Sequence, residues 1–149
     1  MSTFWRRWLQ AWCAVVGLFG LLLAGGAFPL TGAPAEALLR MFNTAVAPDF
    51  AAPLRFAVAL MGCVTLGWSL TFLAAMQAAW RLGEGANSVW AMLTASLAVW
   101  FVMDSSLSIA TGYGLNAVSN AVLFGLYLIP IWRSGVLGAP RVGLGSAAA

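Results

Sequence analysis

The chain contains no histidine and no lysine, and only 7% of its 149 residues are charged. A soluble domain carries about 25% charged residues, and a chain this short leaves much of its surface exposed. With 62% hydrophobic residues, the excess apolar surface calls for a non-aqueous solvent. The missing histidine removes the usual haem axial ligand and the usual general base. The few acids are far apart in sequence, so no metal cluster and no cofactor is expected. Cysteine is scarce as well: Cys13 and Cys63 each sit inside an apolar run, without a C-x-x-C pair. That excludes a disulfide scaffold and a thiol oxidoreductase, and both cysteines read as small buried apolar residues. The net charge of +3 rests on arginines scattered along the chain. Because they do not cluster on one face, nucleic acid is not an expected partner.

Long apolar runs are abundant. A membrane-spanning helix needs about 20 apolar residues, and four runs qualify: Leu9 to Leu30, Phe56 to Trp80, Val89 to Ala110 and Tyr113 to Trp132. Pro130 falls in the last turn of the fourth, where a kink or early end costs little. The first run has a rival reading as a signal peptide, with Arg6-Arg7 ahead of it and Ala33-Pro34-Ala35 or Ala35-Glu36-Ala37 as a cleavage site. Its length, and Trp8 and Trp12 near its start, favour a retained helix. The expected fold is all-α, a single integral membrane bundle of four transmembrane helices over residues 1–132. Residues 133–149, rich in glycine and ending in alanines, form an expected loose tail.

Charge sets the expected orientation. With four spans, Arg6, Arg7, Arg81, Arg133 and Arg141 fall on one side, and Arg40 and Arg55 on the other with Glu36 and Asp49. The positive-inside rule then puts both termini in the cytoplasm of a bacterial-type inner membrane. Trp5, Trp8, Trp80, Trp90 and Trp132 fall at the same interface, where amphipathic rings settle. Trp68 and Trp100 fall near mid-membrane, as packing residues. In the outer loop, Leu38, Leu39, Phe42 and Val46 recur at helical spacing between Pro34 and Pro48. Glu36 and Arg40 are four apart and can pair. This predicts a short interfacial helix from Ala35 to Val46.

Small residues mark the expected helix contacts: Gly17, Gly20 and Ala24 in the first span, and Gly62, Gly67 and Ser69 in the second. Polar residues in the last two spans mark a candidate site. Asp104 lies about 10 Å inside the outer end of its helix at 1.5 Å per residue. A carboxylate there is costly unless paired, so it should face the bundle interior. Ser108 follows four residues later on the same face, and Asn116 and Asn120 are likewise four apart. Thr111-Gly112-Tyr113-Gly114 is too short for anything but an antiparallel hairpin. Residues equidistant from Gly112 lie at equal depth, which matches Asp104 with Asn120 and Ser108 with Asn116. Either asparagine amide can donate to the Asp104 carboxyl, charged or neutral. Arg55 is a further candidate: it can reach inward to Asp104 or outward to lipid phosphate. A polar clamp on one hairpin is the simpler reading; the sharper one is an ion or proton path.

Gly62, Gly67-Trp68, Trp100-Phe101-Val102-Met103-Asp104-Ser105, Gly112 with Asn116 and Asn120, and Ile129-Pro130 together resemble a group of small four-helix bacterial membrane proteins. The resemblance runs from about the outer loop to Pro130. It implies that the Asp/Asn constellation is a family feature, and it brings no activity. With no nucleophile–base pair and no phosphate loop, no enzymatic activity is expected. The expected role is a small accessory or structural subunit acting through helix contacts with a larger membrane complex or with copies of itself. The alternative is a carrier or ligand-binding protein using the Asp104, Asn116 and Asn120 cluster. A membrane enzyme ranks third.

Overall fold

The computed structural model describes residues 1–43 and 49–138, and it is all-helical there. Five α-helices follow in order: α1 (Thr3–Ala24), α2 (Ala33–Phe42), α3 (Ala52–Leu82), α4 (Asn87–Ala110) and α5 (Gly114–Ser134). Short 3-10 turns at Gly25–Ala27 and Gly83–Ala86 close α1 and α3. Helices α1, α3, α4 and α5 are long and apolar enough to cross a membrane. At 31 residues α3 spans about 46 Å, more than the ~30 Å hydrocarbon thickness, so a spanning α3 must tilt or project. Within the predicted 35–46 segment a helix is present as α2, but it starts at Ala33 and ends at Phe42, where Asn43 turns extended; Val46 lies outside the described residues.

Local chemistry sets the boundaries. α1 begins at Thr3 rather than Leu9, because a helix end carries Arg6 and Arg7 where an apolar count stops. It ends before Leu30, at the Gly25-Gly26 pair, where the Thr31 hydroxyl donates to the Gly25 carbonyl at 2.6 Å. Pro34 and Pro53 sit in the first turns of α2 and α3, where a missing N–H costs nothing. The α4–α5 turn is a Schellman motif. Tyr113 N–H donates to Ser108 O at 2.7 Å and Gly112 N–H to Ile109 O at 3.2 Å. Gly112 takes the left-handed conformation this needs, with φ of 85°.

Packing falls into two antiparallel pairs. α1 lies along α3 in the most extensive interface, and α4 pairs with α5. The α1–α3 crossing is made by Gly17, Gly20, Gly62 and Ser69, all buried. Ser69 Oγ donates to the Cys13 carbonyl at 2.9 Å. Gly67, expected at a helix contact, has open space where a Cβ would stand; it lies off the seam. Cys63 is exposed for the same reason, whereas Cys13 is buried as expected.

The two pairs meet over an aromatic centre. Trp12, Trp68, Phe72, Trp100 and Tyr127 pack with ring centroids 4.7 to 6.3 Å apart. Tyr127 is fully buried. Thr94 Oγ1 donates to Trp90 O at 2.8 Å, so its one proton is used and Tyr127 Oη is the donor in their 3.0 Å bond. Pro130 sits inside α5 with a further turn after it. It has no N–H for the Leu126 carbonyl, and Trp8 Nε1 takes that carbonyl at 2.9 Å. One turn away, Trp12 Nε1 donates to Leu123 O at 3.0 Å. Two indoles of α1 thus satisfy the backbone beside the proline of α5. Past α5, Val136 packs on the core and Asn87 Nδ2 donates to Gly138 O. The chain therefore stays on the bundle beyond Arg133, through Gly138.

Candidate functional site

The polar cluster assembles on the α4–α5 hairpin, close to its turn. The Schellman turn fixes the two helices in register, and that register brings Asp104, Ser105 and Ser108 of α4 against Asn116 and Asn120 of α5. Asp104 Oδ2 accepts two amide bonds, from Asn120 Nδ2 at 2.5 Å and from Asn116 Nδ2 at 2.9 Å. Asn116 Nδ2 also reaches Ser108 Oγ at 2.8 Å, and Asn120 Nδ2 reaches Ser105 Oγ at 3.3 Å. Ser108 Oγ donates back to the Asp104 carbonyl at 2.7 Å. Asn120, Ser105 and Ser108 are buried; Asp104 and Asn116 are half-buried.

Sequence spacing pairs Asp104 with Asn120 and Ser108 with Asn116, and both contacts are present. The structure adds that Asn116 bridges Ser108 and Asp104, so one carboxyl oxygen gathers both amides. Ser105 was missed: the i+4 rule picks out Ser108 and passes over a neighbour that turns toward Asn120. Its signal was the equal-depth match, since Ser105 lies within one residue of the position opposite Asn120.

Arg55 does not belong to the cluster. Its guanidinium carbon lies 4.8 Å from the centre of the Phe50 ring, and its Nη1 is enclosed without a hydrogen-bond partner. Among the described residues the ion pair present is Arg40–Glu36, at 2.8 Å. The reason is packing: Phe50, from a second apolar cluster with Leu23, Ala35 and Val58, and Gly32, on the two segments flanking α2, hold the Arg55 side chain beside that cluster. Sequence spacing carries no information on how that loop folds back.

Chemically, the cluster can hold α4 to α5 and can present one further acceptor. Asp104 Oδ1 has no hydrogen bond within the described residues and is not enclosed. Toward the far end of the bundle the interior is filled by the aromatic centre. No family model, curated protein or solved structure matches this chain.

Proposed function

We propose that this is a non-enzymatic, multi-pass protein of a bacterial inner membrane that acts through helix contacts, as a small accessory subunit of a larger membrane complex. One observation carries the reading. The interior is closed by packed aromatic rings, whereas the helix surfaces are open: α4 buries 17% of its most apolar stretch and α1 44%. Available surface therefore lies on the outside of the α4–α5 hairpin, with Met92, Val99, Val102, Met103 and Leu107 exposed. The polar cluster stiffens that hairpin and fixes the face it presents. The resemblance to small four-helix bacterial membrane proteins belongs to the same proposal. Purification of the full chain from its native membrane in a gentle detergent, followed by native mass spectrometry, tests it. A stoichiometric protein partner, or a defined homo-oligomer, is expected. A monomer that brings no protein with it overturns the reading.

A second reading is favoured by Asp104 Oδ1, accessible and without a hydrogen bond among the described residues: a carrier or binding protein whose ligand donates to that oxygen. In the same experiment it predicts a co-purifying small molecule that Asp104→Leu loses.

The proposed orientation has both termini in the cytoplasm, with α2 lying along the outer interface. Arg6, Arg7, Arg81 and Arg133 share the helix ends opposite α2, and Arg40 and Arg55 lie on the α2 side. Phe28, Leu30, Met41 and Phe56 are exposed around α2, which suits a position against lipid. Reporter fusions in the Gly83–Ala86 turn should report the cytoplasm, and fusions at Asp49 the outside. A cytoplasmic signal at Asp49 would refute the charge argument.

A further inference from the structure

Arg55 stands in the first turn of α3, at the end of the bundle where α2 and the turn after α1 gather. A guanidinium is always charged, and no carboxylate of the described residues lies within ion-pair distance of this one. The side chain is nevertheless held firmly. Phe50, itself 8% exposed, lies under it. Gly32 lies against Nη1: a Cβ there would be 2.8 Å from Nη1 and 3.0 Å from the Phe28 carbonyl oxygen. Only glycine leaves room for the guanidinium in this position.

The enclosed nitrogen is Nη1, on the inner edge of the fork. Nε and Nη2 are neither enclosed nor hydrogen-bonded within the described residues. Those two share the side-on edge, whose parallel N–H groups match a pair of oxygens on one phosphorus or carbon. Enclosure of Nη1 therefore takes the end-on edge, Nη1 with Nη2, out of use, and the side-on edge is left open to a bidentate anion. The first turn of α3 has no acid and no side-chain cap, so the helix end adds positive potential to the same place. In the segment after α1 and the first turn and a half of α3, Phe28 is 67% exposed, Leu30 98% and Phe56 70%. An inorganic anion would leave those side chains bare; acyl chains would cover them.

We propose that the open edge of Arg55 binds a phosphate group, that of a phospholipid headgroup whose acyl chains cover Phe28, Leu30 and Phe56. The lipid supplies the counter-charge that none of the described residues provides, and the site ties the α2 region to the end of α3.

The test uses the full chain in a maltoside detergent and phosphate-free buffer. Thermal unfolding is followed by tryptophan fluorescence with added phosphatidylglycerol, with diacylglycerol and with inorganic phosphate. Phosphatidylglycerol is expected to raise the midpoint by several degrees, and the other two to leave it unchanged. Arg55→Gln should lose the shift, and Arg55→Lys, which keeps the charge without the fork, should keep less than half. Gly32→Ala, which pushes the guanidinium off its seat, should reduce the shift with every charge in place. An undiminished shift in Arg55→Gln overturns the proposal, as does an equal shift with diacylglycerol. An equal shift with inorganic phosphate that Arg55→Gln loses overturns the lipid and leaves a free-phosphate site. If Arg55→Gln does not fold, undiminished shifts in Arg55→Lys and Gly32→Ala overturn the proposal.

Discussion

Asp104→Leu is expected to loosen the α4–α5 hairpin by about 1–3 kcal/mol, whereas Asp104→Asn is expected to stay within about 1 kcal/mol of the parent chain. Leucine removes the oxygen that accepts both asparagine amides. Asn116 keeps Ser108 Oγ at 2.8 Å, but Asn120, 4% exposed, is left with Ser105 Oγ at 3.3 Å. Most of the loss therefore falls on Asn120. Asparagine at 104 retains one carbonyl oxygen to accept both bonds, and its own amide takes the place of an oxygen that has no hydrogen-bond partner among the described residues. Leucine also lowers the cost of carrying α4 into lipid, so overall insertion is the wrong readout. The measurement is disulfide crosslinking between cysteines engineered across α4 and α5, read against detergent denaturation. Equal loosening by asparagine and leucine would show that charge, not hydrogen bonding, holds the hairpin, and the clamp would be abandoned. A fold kept by asparagine together with loss of ligand binding would favour the carrier reading.

Different parts of this molecule were legible in the sequence to different degrees, for physical reasons. Four apolar runs, three of them with arginines beside an end, specify four helices, because lipid leaves the backbone no other way to satisfy its hydrogen bonds. Their ends are less legible, since hydropathy reports solvent and not hydrogen bonding. Arg6 and Arg7 belong to α1 although no apolar count includes them, and Gly25-Gly26 stops the helix inside an apolar run. Asp104, Ser108, Asn116 and Asn120 could be grouped in advance because a four-residue turn fixes the register of a hairpin. Arg55 could not be placed the same way. Its surroundings come from Gly32 and Phe50, on either side of α2, and a loop that long has no register to count. Nor did the sequence mark the Trp8–Leu126 bond. Pro130 does announce a carbonyl without a donor, but the donor comes from the far end of the chain.

The same limit applies to glycines. Gly62 and Gly67 are equally small, lie five residues apart on one helix, and look alike as packing motifs. The structure separates them, and the largest stability effect expected in this protein follows. At Gly62 a Cβ would lie 2.8 Å from the Leu23 carbonyl carbon and within clashing distance of the Ala24 nitrogen and Gly20 oxygen. Every one of those atoms is backbone, so no side-chain rotation relieves the overlap. The reciprocal position is as tight: a Cβ at Gly20 would stand 2.7 Å from the Leu66 nitrogen and 2.8 Å from the Gly62 oxygen. Even Gly62→Ala must push α1 and α3 apart along the most extensive interface, which also seats Leu9, Trp12, Cys13 and Val16. Overpacking a core typically costs about 1–3 kcal/mol and occasionally more; with a rigid backbone on both sides the upper end is expected for alanine. Gly62→Leu should yield no monodisperse folded protein. Gly67→Ala, with open space around it, should be neutral or stabilising by up to about 1 kcal/mol, as for any glycine inside a helix. Thermal unfolding of the three variants in detergent decides. A Gly62→Ala midpoint equal to the parent's, or a Gly67→Ala loss as large as that of Gly62→Ala, would mean that α1 does not cross α3 at Gly20 and Gly62.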